Sequence, residues 1–119
     1  MSTVLVVDDE PDIRKLISIG LRAAGHRALE ATDGRSALKA LDSDEVDLIL
    51  LDLMMPVMDG WAMLWTLHDR PSHPPVIVMS AKPENSHQHP PLGAVRYLHK
   101  PFPLEDALSS VEEVLAERA

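Results

Sequence analysis

A doubly wound α/β domain, built on one five-stranded parallel sheet, is the fold this chain predicts. Three observations predict it. Short continuous apolar runs such as Val4-Leu5-Val6-Val7 and Leu48-Ile49-Leu50-Leu51 recur along the chain, and strands buried on both faces read this way, without alternation. Stretches with helical apolar spacing separate the runs, which is the pattern of parallel strands joined by helical crossovers. Charged or hydroxyl residues end several runs, as in Val7-Asp8-Asp9, Leu51-Asp52, Met79-Ser80 and His99-Lys100. The 119 residues, 45% of them hydrophobic, suit one domain over residues 1–119. Aromatics are only 3%, so the core is aliphatic.

Residues 4–7 form the first strand. Asp9 is placed to cap the helix that follows, with Pro11 in its first turn. Ile13, Leu16, Ile17, Leu21 and Ala24 recur at helical spacing, and Gly25 stops the helix. Residues 27–31 are a weaker second strand. Asp33-Gly34 opens a second helix carrying Ala37, Leu38 and Leu41, and residues 46–51 are the third strand. Asp59-Gly60 is a turn, or the cap of a third helix bearing Met63, Leu64 and Leu67. Residues 75–79 and 95–98 are the fourth and fifth strands. Pro103 opens the last helix, with Leu104, Ala107, Leu108, Val111 and Leu115 on one face. Between the last two strands, residues 82–92 hold three prolines and no apolar period. An interior proline costs a helix roughly 3 kcal/mol, so a fourth helix here is short or irregular, with at most one turn after Pro83.

The formal charge is -8, from 11 basic and 19 acidic residues. That balance argues against direct contact with nucleic acid or an anionic membrane. The absence of cysteine excludes disulfides, thiolate catalysis and cysteine metal sites. No apolar run is long enough to span a bilayer, and the first residues lack the pattern of a secretory signal. The expectation is a cytoplasmic protein.

In an open parallel sheet, ligands bind beyond the carboxyl ends of the strands. Asp8, Asp9, Asp52, Ser80 and Lys100 all stand at such ends. Carboxylates crowded together are costly unless a cation joins them. For an all-oxygen site the hard cation is Mg²⁺, and Mg²⁺ beside a carboxylate and a lysine suits a phosphoryl group.

These residues resemble the receiver domain of two-component response regulators. The matching pieces are Val6-Val7-Asp8-Asp9, Asp52-Leu53-Met54-Met55-Pro56-Val57-Met58-Asp59-Gly60, Ser80-Ala81 and Tyr97-Leu98-His99-Lys100-Pro101-Phe102. The likeness runs from residue 4 to about residue 115. It implies a flavodoxin-like sheet of order 2-1-3-4-5. It implies that Asp52 is the phosphoacceptor, taking a phosphoryl group from a sensor histidine kinase or a histidine phosphotransfer protein. Asp9, Asp52 and the backbone carbonyl of Met54 would bind Mg²⁺ directly, and Asp8 through water. Lys100 and Ser80 would hold phosphoryl oxygens, and Ser80 with Tyr97 would form the switch. The Lys100-Pro101 peptide would be cis, aiming Lys100 at Asp52. The first helix, with Pro11, Arg14 and Lys15, would help dock the kinase; otherwise these residues are a solvated face. The downstream target or output domain is not specified by these residues.

Two other classes compete with a non-enzymatic switch. A Mg²⁺-dependent phosphatase with an aspartyl nucleophile needs a second Asp two positions later, where this chain has Met54. A phosphorylation-independent binding module has no need of Asp8, Asp9, Asp52, Ser80 and Lys100 together. Plainer readings suit the remaining residues. The methionines near residues 54–63 pack the core and loops. His87 and His89 lack further ligands for a metal. Trp61 and Trp65 share a helix face that either packs or binds a partner.

Overall fold

Among the described residues, nine elements follow one another, and each strand is parallel to its neighbours. The computed structural model describes residues 2–55, 60–81 and 94–118. The elements are β1 (Thr3–Val7), α1 (Pro11–Ala23), β2 (Arg27–Ala31), α2 (Gly34–Ser43), β3 (Leu48–Asp52), α3 (Gly60–His68), β4 (Val76–Ser80), β5 (Arg96–His99) and α4 (Leu104–Arg118). The sheet order is β2-β1-β3-β4-β5, as the sequence resemblance implies. The expected short or irregular helix, and His87 and His89, lie outside the described residues.

Strand alternation builds two cores. Leu5, Val7, Ile49, Leu51 and Val78 point to one face and pack with Ala37 of α2 and Met63, Leu64 and Leu67 of α3. Val4, Val6, Leu48, Leu50, Ile77 and Met79 point to the other, against Ile17 and Leu21 of α1 and Ala107, Val111 and Val114 of α4. Every residue of β3 and β4 is buried. This is why their sequences are continuous apolar runs.

Helix ends follow local chemistry. Gly25 takes φ +93, a conformation that carries no penalty only for glycine. There it lets its own N–H reach Arg22 O at 3.0 Å and that of His26 reach Leu21 O at 3.0 Å, closing α1 in a Schellman motif. Asp33 caps α2: its carboxylate accepts the Ser36 N–H at 2.8 Å, and the Ser36 hydroxyl faces the Asp33 N–H in return. The Ser36 amide, more than any other group, holds the Asp33 carboxyl below its ordinary range. Asp33→Ala should cost about 1 kcal/mol in urea unfolding, as loss of such a cap does elsewhere; an unchanged midpoint would show that α2 needs no cap.

The expected cap of α1 is corrected. Its N-cap is Glu10, with no side-chain cap, and Pro11 takes the first helical position. Asp9 is one residue too early. Instead the carboxylate of Asp8 accepts the Glu10 N–H at 2.9 Å, an Asx turn that starts the helix from inside the site.

Candidate functional site

The site lies where β1, β3, β4 and β5 end. Pairing in register puts Val7 beside Leu51, Asp52 beside Met79 and Ser80 beside His99, so the residues that close each strand reach one edge of the sheet. Asp8 follows β1 and is fully buried, its N–H donating to Ala31 O of β2 at 3.1 Å. Asp52 is the last residue of β3 and 2% exposed. Ser80 ends β4 and is buried, with its carbonyl accepting the Lys100 N–H at 2.9 Å. Lys100 follows β5, and the Lys100-Pro101 peptide is cis, as the resemblance implies.

The Lys100 ammonium is the hub. It lies 2.9 Å from Asp8 Oδ2, 3.1 Å from Glu10 Oε1 and 3.4 Å from Asp52 Oδ2. The other oxygen of Asp52, Oδ1, accepts the Met54 N–H at 3.0 Å. Asp8, Glu10 and Asp52 bring carboxylate oxygens within 4.8 Å of one another. An all-oxygen set of this size fits a hard divalent cation such as Mg²⁺.

Not every expected ligand is in that set. Asp9 is exposed and stands outside the three-carboxylate group, while Glu10, to which the sequence reading assigned nothing, is inside it. The turn is the physical reason: the chain bends at Asp9, and the Asx turn that ties the Glu10 N–H to the Asp8 carboxylate brings Glu10 back to the same Lys100 ammonium. The Asp8-Asp9-Glu10 run was the available signal. Met54 is exposed, while Met55 and Met63 are buried in the core, so packing accounts for the latter two. Tyr97 packs against the α2–α3 core with its hydroxyl oxygen buried. Trp65 is exposed and Trp61 only partly so.

Charge balance in the site is uneven. Burial pushes the Asp52 carboxyl up to about 6, and the negative charge of Asp8 adds to that; the Met54 N–H and Lys100 act in the opposite sense without cancelling it. Burial alone would lower the Lys100 ammonium, but its hydrogen bond to Asp8, the charges of Asp8 and Asp52 and its hydrogen bond to Glu10 raise it. The two shifts do not describe a matched ion pair. Lys100 is shared among three carboxylates, and Asp52 receives the smallest share, at the longest distance. Asp52 is therefore a buried carboxylate with incomplete compensation, suited to meet a further cation or an electrophile.

The model of the response regulator receiver domain family matches residues 4–112. This chain belongs to that family. Among curated relatives, the transcriptional regulatory protein PrrA of Mycobacterium tuberculosis is 37% identical over 97% of the receiver and 50% of its own length. The alkaline phosphatase synthesis transcriptional regulatory protein PhoP of Bacillus subtilis is 34% identical over 94% and 48%. The receiver thus spans about half the length of the curated relatives it matches. Among solved structures, the receiver domain of Francisella response regulator 1452 superposes with TM-score 0.91 at 30% identity, covering 100% of both chains. Response regulator TrrA of Thermotoga maritima, solved in complex with Mg(2+)-BeF, has TM-score 0.84 at 29% identity over 96% of the receiver and 99% of its own chain. Among the described residues, no helix is long and apolar enough to cross a membrane.

Proposed function

We propose that this receiver is a phosphoacceptor switch. Asp52 takes a phosphoryl group from the phosphohistidine of a sensor kinase or a phosphotransfer protein, and the change alters what the domain binds. The observation that carries the reading is the convergence of buried Asp52 and Asp8, the largely buried Lys100 ammonium and the exposed Glu10 at the carboxyl edge of the sheet. A carboxylate oxygen of Asp52 attacks phosphorus, the P–N bond to the donor imidazole breaks, and an acyl phosphate forms. Lys100, already within reach of Asp52, holds a phosphoryl oxygen as a point charge, and the Ser80 hydroxyl takes another. Tyr97, on β5 opposite Val78 and two residues before the His99 that pairs with Ser80, reports the change to the surface.

Mg²⁺ is the proposed cofactor, held by Asp52, the Asp8-Asp9 pair and the Met54 carbonyl, with Glu10 closing the acidic set. When bound it offsets the negative charge of the carboxylates and of the incoming phosphoryl group. The TrrA complex with Mg(2+)-BeF supports this by analogy. Nothing about Asp52 favours turnover: the position two residues on, where an aspartyl phosphatase carries its acid, is Met54. The proposed setting is the cytoplasm, and the output is a separate domain or target, as the names of the curated regulators suggest.

The test is intact-mass measurement after incubation with acetyl phosphate and Mg²⁺. Wild-type protein should gain one phosphoryl group, removed by base. Asp52→Asn should gain none, and Asp9→Ala should lose both the response to Mg²⁺ and the labelling. Full labelling of Asp52→Asn would overturn the assignment.

A further inference from the structure

Asp8 is held at every polar group it has. Its N–H donates to Ala31 O at 3.1 Å. One carboxylate oxygen accepts the Glu10 N–H at 2.9 Å, and the other meets Lys100 at 2.9 Å. Its carbonyl, the first beyond the end of β1, accepts Nη1 of Arg14 at 2.9 Å. The same guanidinium donates from Nε to Oε1 of Glu30 at 3.0 Å. Arg14 comes from the first turn of α1, Glu30 from β2, and both side chains are largely buried, at 12% and 19% exposed. Lys15 at 3.6 Å and Arg22 at 3.8 Å also face Glu30, so Glu30 would keep a cationic neighbour if Arg14 were lost.

We propose that Arg14, oriented by Glu30, is a positioning residue for the metal site: by holding the Asp8 carbonyl it fixes the peptide between Asp8 and Asp9, and so the directions in which Asp8, Asp9 and Glu10 present their carboxylates. The inference rests on the Mg²⁺ reading above. Its physical basis is that one planar guanidinium spans an acceptor on β2 and an acceptor in the β1–α1 turn at once, which a lysine ammonium, a point charge, does not reproduce in the same geometry. Without it the Asp8 carbonyl loses its partner, and the turn is free to rotate about the peptide that carries the ligands. Groups that orient metal ligands typically change affinity by about 10- to 100-fold when removed.

The experiment measures Mg²⁺ binding calorimetrically, using Mg²⁺ alone, for wild type, Arg14→Lys, Arg14→Ala and Glu30→Gln. Urea unfolding without metal is run beside it, together with labelling by acetyl phosphate across a Mg²⁺ titration. Arg14→Lys should unfold near the wild-type midpoint, yet bind Mg²⁺ about tenfold more weakly. Its labelling rate should recover to within about twofold of wild type once Mg²⁺ saturates, because Arg14 touches neither Asp52 nor the phosphoryl group. Glu30→Gln should fall between the two, since it keeps an acceptor but loses charge. Arg14→Ala, if it folds, should bind no better than Arg14→Lys. Mg²⁺ affinities within about twofold of wild type in Arg14→Lys and Glu30→Gln overturn the inference. A loss of stability that accounts for the whole change would do the same, by reducing Arg14 to a tie between α1 and β2. A wild-type protein that binds no Mg²⁺ contradicts the metal reading itself, which the variant comparison separates from a failure of Arg14 alone.

Discussion

Asp52→Asn is expected to make the metal-free protein more stable at pH 8, by on the order of 2 kcal/mol. The carboxyl titrates near 6 in the folded protein against 3.8 ordinarily. The folded state therefore binds this proton more tightly than the unfolded state does. Below about pH 4 both states are protonated and Asp52 brings no penalty. Between about 4 and 6 the unfolded chain ionises first, and stability falls as pH rises; above about 6 the penalty is fully present. Asparagine retains the shape and can accept the Met54 N–H, while Lys100 keeps Asp8 and Glu10. Urea midpoints for both proteins should therefore separate at pH 8 and converge near pH 4. Saturating Mg²⁺ should narrow the gap at pH 8, because it stabilises the ionised wild type. A variant less stable than wild type at pH 8 without metal would mean that Lys100 already compensates Asp52, and that the site is an ordinary buried ion pair.

Gly60→Ala is expected to cost at least about 3 kcal/mol. A Cβ at residue 60 would sit 2.4 Å from the Asp52 carbonyl oxygen and 2.4 Å from Leu53 Cα. Both are backbone atoms at the end of β3, so neither can swing aside as a side chain would. The Gly60 N–H also donates to Leu53 O at 3.1 Å, which draws the start of α3 onto that strand end. To admit the methyl group, α3 must move away, taking Met63, Leu64 and Leu67 out of their packing, or the turn from Asp52 to Met54 must shift. The second route displaces the phosphoacceptor. A urea midpoint within about 1 kcal/mol of wild type, with labelling intact, would show that this contact relaxes far more easily than backbone packing allows.

The two predictions concern the same short stretch, and it is also where sequence and structure differ most usefully. The parallel arrangement and the covering of both faces were legible because buried strands leave continuous apolar runs and helices leave a period, while the sheet order came only through the family resemblance. Residues 27–31 were read to the residue. The third, fourth and fifth strands were displaced by one or two positions, because hydrophobicity marks burial while pairing decides where a strand ends. Asp52 illustrates this: it looks like the residue after a strand, yet it is paired with Met79 and buried. Asp8, Asp52 and Lys100 were legible as a group, since a carboxylate or an ammonium that ends an apolar run has few structural reasons to be there. Glu10 was not, because a third acidic residue in a row reads as a solvated helix start until the Asx turn that folds it back toward Lys100 is known. Nor was the action of Arg14 on Asp8. Its position in α1 suggests a surface charge, and only the register of β2, which sets Glu30 opposite Val6, brings a carboxylate to orient it.

The most direct measurement of the central claim locates the phosphoryl group. Protein labelled with acetyl phosphate and Mg²⁺ is reduced with borohydride, which converts an aspartyl phosphate to homoserine, and then digested for peptide mass spectrometry. Homoserine at residue 52 alone is the result expected here; homoserine at Asp8, Asp9 or another carboxylate, with residue 52 unchanged, would contradict it.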